Sequence, residues 1–287
     1  MIKKIVVIGA TGMLGKPVTI QLIQAGYAIT LLSRDAEKAK KIFPGITCIE
    51  ADVLNIQQLI NGFYQQDCVY ISLSPDRSAR FTDQLPEREG IQNILVAAKQ
   101  CGVKRIALLS SVVQNYNGMN GFDWWIFRVK LEAVKNIKAS GISYSIFYPS
   151  TFMESIKRDL ISGNKLLLTT GSVAPMWFIA GDDYGKQVAK ALAIAGSTKQ
   201  EYVIQGPVAY TWEEAAKVIT ENYKQPLRLV KAPMMIMKTA GLFMRKMKYA
   251  WHICEALNKY PETFTSERTW EELGKPETTL TAYIKNL

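Results

Sequence analysis

Three glycines, at positions 9, 12 and 15, follow directly on an apolar run and open a helical pattern in Gly9-Ala10-Thr11-Gly12-Met13-Leu14-Gly15. That spacing suits phosphate chemistry. Gly9 lets the chain turn sharply out of a strand, Gly12 lets backbone N–H groups approach an anion with no side chain between, and Gly15 lets the helix pack closely on the sheet. The unpaired N–H groups of the loop residues Thr11, Met13 and Leu14, together with the positive end of the helix, then face the anion. Strand, glycine turn and helix in this order make a grip for a dinucleotide pyrophosphate. The competing reading is a tight turn without a ligand, and the presence of both flanking elements weighs against it.

A second set of residues stands where a dinucleotide's adenosine half would be read. About twenty residues beyond the glycine turn, Leu31-Leu32-Ser33-Arg34-Asp35 ends the second strand. An acid there binds a ribose 2′-hydroxyl, and a base binds a 2′-phosphate. Arg34 supplies a planar fork of donors matched to phosphate, with the Ser33 hydroxyl beside it, so NADP(H) is favoured. Asp35, one residue late, can accept a ribose hydroxyl if the turn is shifted, which keeps NAD(H) open. Asp52 and Val53, after the third strand, are placed to approach the adenine, although Asp52 can equally cap the helix that begins near Asn55. Ser72, Leu73 and Ser74 end the fourth strand and flank the nicotinamide ribose, because ligands sit outside the carboxyl ends of the strands.

Other chemistries are excluded by what is scarce. The 287 residues contain one histidine, His252, so neither a Ser-His-Asp nor a Cys-His arrangement near the glycine turn is available. Four scattered cysteines, Cys48, Cys68, Cys101 and Cys254, form no Cys-x-x-Cys pair, so no zinc site or disulfide framework is expected. His252 follows Trp251 in an apolar helical stretch and reads as structural.

Strand-like and helical runs alternate from 5–8 through 14–25, 28–32, 36–42, 47–49, 56–63, 68–72, 86–101, 105–109 and 125–140 to 143–147. Regular alternation of this kind specifies an α/β fold: a Rossmann doubly wound parallel sheet with helices on both faces and a small C-terminal substrate lobe. Residues 1–205 form the NAD(P)-binding Rossmann core, 151–181 contribute to the substrate side, and 206–287 form the lobe. Residues 182–195 and 211–223 read as further helices. With 48% hydrophobic and 21% charged residues the chain is globular, and the formal net charge is +10. Residues 222–254 contain no acid but seven bases, Lys224, Arg228, Lys231, Lys238, Arg245, Lys246 and Lys248. That segment suits a solvated basic helix over the core, an anionic substrate, or a membrane surface. The first strand leaves no room for a leader and no apolar run reaches about 18 residues, so a cytoplasmic address is expected.

Taken together, the glycine turn, LLSRD, Gly102-Val103-Lys104-Arg105 leading to Leu109-Ser110-Ser111, and Lys130-Leu131-Glu132 resemble the short-chain dehydrogenase/reductase superfamily. The stretch Gly141-Ile142-Ser143-Tyr144-Ser145-Ile146-Phe147-Tyr148-Pro149 through Phe152-Met153-Glu154 resembles its atypical NmrA-like branch, related to isoflavone-reductase-type enzymes. Superfamily reductases use a Tyr-x-x-x-Lys pair in which the phenol delivers a proton. Four residues before Lys130 stands Ile126, so the tyrosine is missing. The resemblance implies that Lys130, with Ser110 and Ser111 upstream, binds the nicotinamide ribose and acts as general acid, its pKa lowered by burial. A purely cofactor-binding Lys130 is the plainer alternative. Tyr116 is a substitute acid in the loop after Ser111, and Tyr148 stands at the substrate mouth or packs there. Trp124, Trp125, Trp177 and Phe178 suit an aromatic pocket wall or the core.

Two functions follow from that resemblance. The first is NADPH-dependent reduction of a small aromatic or quinone-like substrate by hydride transfer. The second is a non-catalytic NAD(P) redox sensor that acts through a protein partner. Docking on an anionic membrane ranks below both, and specific nucleic-acid binding is not expected, since no reading motif is present.

Overall fold

The computed structural model describes residues 1–170 and 174–287. Residues 171–173, inside the stretch expected to contribute to the substrate side, lie outside the described residues. Strands and helices alternate as β1 (Lys4–Ile8), α1 (Gly15–Gln24), β2 (Ala28–Ser33), α2 (Ala36–Ile42), β3 (Thr47–Glu50), α3 (Ile56–Phe63) and β4 (Cys68–Ile71). They continue as α4 (Ile91–Gln100), β5 (Arg105–Leu109), α5 (Trp125–Ala139) and β6 (Ser143–Pro149). The short strands β7 (Ile161–Ser162), β8 (Lys165–Thr169) and β9 (Met176–Trp177) lead to α6 (Gly181–Ala193) and β10 (Lys199–Ile204). The remainder holds β11 (Ala209–Tyr210), α7 (Trp212–Asn222), β12 (Arg228–Ala232), α8 (Met234–Ala240), α9 (Arg245–Lys259), α10 (Glu267–Leu273) and α11 (Leu280–Lys285).

Seven parallel strands form the central sheet in the order β10-β6-β5-β4-β1-β2-β3. Successive residues of a strand point to opposite faces, so an apolar run such as Ile5-Val6-Val7-Ile8 must be covered on both. Ile5 and Val7 pack with Val18 and Leu22 of α1 and Val188 and Leu192 of α6. Val6 and Ile8 pack with Leu59 of α3, Ile94 of α4 and Ile137 of α5. The chain leaves β1 toward β2 and β3, then crosses back to place β4 on β1's other side, and this reversal opens a crevice at the carboxyl ends of β1 and β4.

The expected helix over 86–101 is divided in the structure. Pro86–Gly90 forms a wider π turn, with the Gly90 N–H donating to Leu85 O at 3.3 Å, and α4 begins only at Ile91. The irregular stretch after Ser150 supplies β7 and β8, and β8 pairs with β7 on one side and β12 on the other in a small sheet. A separate apolar cluster unites Met153, Leu166, Phe178, Trp212, Ile219 and Leu280 as the core of this lobe. The chain also returns to the main core before it ends: Ser266 and Thr269 hydroxyls donate to Val203 O at 2.8 and 2.7 Å, and Leu273 joins the α1–α6 side. Helix α8 buries no residue. Beside it, Leu242 and Phe243 stand 78% and 90% exposed. No helix among the described residues is long and apolar enough to cross a membrane.

Candidate active site

The glycine turn is built by close approach. Gly9 has φ +85°, and a Cβ there would stand 2.1 Å from Ser72 O, so only glycine lets β1 turn against the end of β4. A Cβ on Gly15 would meet Gly9 O at 2.0 Å, which fixes the start of α1 against the turn. Between them, Gly12 N–H donates to Gly9 O at 3.1 Å, while a Cβ on Gly12 would meet only that same oxygen, at 3.2 Å. Leu14 at the N-cap makes no side-chain cap bond, and no acid stands in the first turn. An uncapped, acid-free helix start behind a glycine cradle fits a pyrophosphate. Thr11, Met13 and Leu14 are half-buried around it.

At the end of β2, Ser33 Oγ donates to Asp35 O at 3.0 Å and Asp35 Oδ1 accepts from Lys38 N–H at 2.8 Å. The Asp35 carboxylate is thus the cap of α2, whereas Arg34 points out exposed with no side-chain bond among the described residues. Asn55, not Asp52, caps α3. Asp52 Oδ1 instead accepts from Leu54 N–H at 2.9 Å, holding the loop in which Val53 is buried and its carbonyl accepts from Asn93 at 3.1 Å. Ser72 and Leu73 are half-buried and Ser74 is exposed, with the Ser72 N–H donating to Ile8 O at 3.0 Å across the crevice.

Lys130 comes into this crevice from α5. It lines a cavity of about 20 Å³ together with Leu73, Ser110 and Glu87. Ser110 Oγ donates to Gln114 Oε1 at 2.9 Å, and its N–H to Phe147 O at 2.8 Å. Burial holds the Lys130 ammonium below the ordinary lysine range, and the Glu87 carboxylate partly opposes that shift. Glu87 is pushed up by burial, which Lys130 in turn opposes. Both Glu87 oxygens are buried without a hydrogen-bond partner among the described residues. Sequence reasoning missed Glu87, because it lies in the π turn before α4, out of the α-helical register that would have placed it on the buried stripe.

The structure does not bring every expected residue to Lys130. Tyr116 is 1% exposed and packs on Phe122, with ring centroids 4.9 Å apart, in an aromatic cluster that reaches α9. Ser111 heads the short helical turn Val112–Tyr116 without capping it. The Tyr148 hydroxyl donates to Glu201 Oε2 at 2.8 Å on the outermost strand, where Lys138 also pairs with Glu201 at 2.6 Å. Ile126, one helical turn before Lys130, is 4% exposed and lines a second, larger cavity of about 530 Å³. Trp124 and Trp125 line that cavity too. Trp177 and Phe178 lie elsewhere, against Phe264 and Trp212, so the four aromatics do not make one wall.

Comparison with known proteins bears on the family and the fold. The family described as NAD(P)H-binding matches residues 9–176. An uncharacterized chloroplastic protein of Arabidopsis thaliana is 31% identical over 183 residues, covering 58% of this chain and 63% of its own length, just under two thirds. Among solved structures, the triphenylmethane reductase of Citrobacter sp. in complex with NADP(H) superposes with a TM-score of 0.79 at 19% identity, covering 99% of each chain. An NADPH-dependent quinone oxidoreductase of Escherichia coli in complex with NADPH superposes with a TM-score of 0.76 at 21% identity, over 98% of this chain and 99% of the other. With the sheet order, the glycine cradle and the match over most of the Rossmann core in hand, the chain belongs to the NAD(P)H-binding family.

Proposed function

We propose that the protein is an NADPH-dependent reductase of the atypical NmrA-like kind, acting on a small aromatic or quinone-like substrate. The observation that carries this reading is the meeting of Lys130, Ser110 and Leu73 in one cavity at the crevice, with Ile126 where a tyrosine would otherwise stand. NADPH, when bound, supplies the hydride. The chain's own residues hold it and handle the proton. Gly9, Gly12 and the open start of α1 receive the pyrophosphate. Arg34 and Ser33 receive the 2′-phosphate, a reading supported by the commitment of the Asp35 carboxylate to its helix. Ser72, Leu73 and Ser110 flank the nicotinamide ribose.

Lys130 performs two tasks in this reading. Its Nζ donates to the ribose, and its proton is available to a substrate oxygen as negative charge develops there, because burial has weakened its hold on that proton. The triphenylmethane reductase and quinone oxidoreductase among the structural neighbours support an apolar, ring-bearing substrate. Loss of NADPH absorbance with a panel of quinones, enones and aromatic aldehydes tests the proposal, with Lys130→Met expected to lower kcat by about 100-fold or more. Tight NADPH binding with no turnover of any panel member overturns it.

A further inference from the structure

The cavity of about 530 Å³ lies where the loop leaving β4 meets the start of α5 and the first turns of α9. Its volume suits a small ring-bearing molecule. Trp124, itself 4% exposed, stacks on His252 with centroids 5.3 Å apart and meets Tyr249 edge-on at 5.1 Å, and it backs a wall on which Trp125, Tyr249 and Trp251 stand half-buried. Burial and the neighbouring Lys248 hold the His252 pKa below its ordinary value.

Charge in the same cavity is one-sided. Arg77 is occupied by Asp159 at 2.7 Å, and Arg128 by Asp123, the one acid in the lining. Arg80, Arg245 and Lys248 remain, exposed and without an acidic partner among the described residues. Arg245 Nη1 donates to the Ser78 carbonyl at 3.5 Å. Three exposed cations without an acidic partner among the described residues line one aromatic cavity, an arrangement that favours an entering anion. The acid-free stretch 222–254 thereby places two of its seven bases, Arg245 and Lys248, on a cavity wall.

We infer that this cavity binds a planar organic anion: an aromatic ring seated against the half-buried Trp125, Tyr249 and Trp251, with a carboxylate, sulfonate or phosphate group held by Arg80, Arg245 and Lys248. Ile126 lines this cavity and Lys130 the smaller one, a single turn apart on α5. The anion's ring therefore lies beside the proposed reaction centre. Its status as substrate rests on the reductase reading, whereas its binding does not.

Tryptophan fluorescence titration at low ionic strength tests the inference with two ligands of one ring system, anthraquinone sulfonate and the neutral hydroxymethyl anthraquinone. The sulfonate is expected to bind about 10-fold more tightly or better, with the preference shrinking as salt is raised. The double variant Arg245→Gln/Lys248→Gln, changed only at exposed positions, is expected to lose that preference and keep its affinity for the neutral ring. Equal affinities in the unaltered protein, or a preference that survives in the double variant, overturn the inference. NADPH binding is followed separately by nucleotide fluorescence. Sulfonate preference without NADPH binding sinks the reductase reading and leaves the anion site standing. NADPH binding without sulfonate preference does the reverse.

Discussion

Glu87 and Lys130 line the same small cavity, the carboxylate delivered by the π turn before α4 and the ammonium by the middle of α5. Neither Glu87 oxygen has a hydrogen-bond partner among the described residues, so its interaction with Lys130 is a through-space one in a poorly solvated setting. Burial lowers the lysine pKa and the carboxylate restores part of it. In the proposed mechanism Glu87 is a positioning residue that sets the pH range over which Lys130 carries its proton. Glu87→Gln removes the negative charge, so the Lys130 pKa falls further. The alkaline limb of the kcat/KM profile is expected to move to lower pH by about one unit, with Glu87→Asp restoring most of it. An unmoved limb with a uniformly lowered rate would assign Glu87 a packing role only.

Gly12 and Gly15 separate binding from folding. A methyl at Gly15 would collide with Gly9 O at 2.0 Å in backbone that cannot yield, so Gly15→Ala is expected to destabilise the fold as well as the site. At Gly12 the nearest atom is 3.2 Å away and the position is exposed. Gly12→Ala is expected to fold with a Tm within about 4 °C of the unaltered protein. Its methyl would stand where phosphate approaches, weakening NADPH binding about 10-fold or more. Unchanged affinity in a folded Gly12→Ala protein would show that the nucleotide is held elsewhere.

Arg34 offers the sharpest test of cofactor choice. Hydrogen bonds to charged groups contribute about 1.5–3 kcal/mol, so Arg34→Ala is expected to raise the NADPH Kd by about 10- to 100-fold while leaving NADH nearly unaffected. Calorimetric titration with both nucleotides reads the difference directly. Equal losses for the two would mean that Arg34 acts on a part they share.

The sheet and the cofactor cradle were legible in the sequence because they depend on local signals. Apolar runs such as 5–8 and 68–71 read as buried strands, and a glycine triplet at a strand-to-helix turn has few other uses. The helix expected over 211–223 forms as α7, and in the structure Thr211 and Glu214 satisfy each other across its first turn. Side-chain destinations were less legible. Tyr116 and Tyr148 were placed by their nearness in sequence to Ser111 and Pro149, but the aromatic cluster closed by α9 and the distant Glu201 decide where they point. Glu87 gave no signal in the sequence because only the packing of the π turn 86–90 against α5 encloses it. The return of 266–273 to the main core depends on hydroxyl bonds to β10 that no periodicity announces.

Glu262 gives the protein a pH-dependent stability apart from any activity. It is 8% exposed, between Ser150 Oγ and Gln205 Nε2, each donating to it at 2.8 Å where β6 and β10 end. Burial pushes its carboxyl from 4.5 to about 7, with the two donors opposing. In the unfolded chain the group titrates near the lower value, so between these two pH values the folded protein holds a proton that the unfolded chain has released. Folding then takes up a proton, and stability falls as pH rises through this window before levelling above it. The shift corresponds to about 3 kcal/mol for a buried group. Glu262→Gln keeps the shape, removes the titration and is expected to flatten this part of the profile. Denaturant melts at pH near 5 and near 8 should show the unaltered protein losing stability between them and the variant losing about 3 kcal/mol less. Equal losses in both proteins would place the titrating group elsewhere.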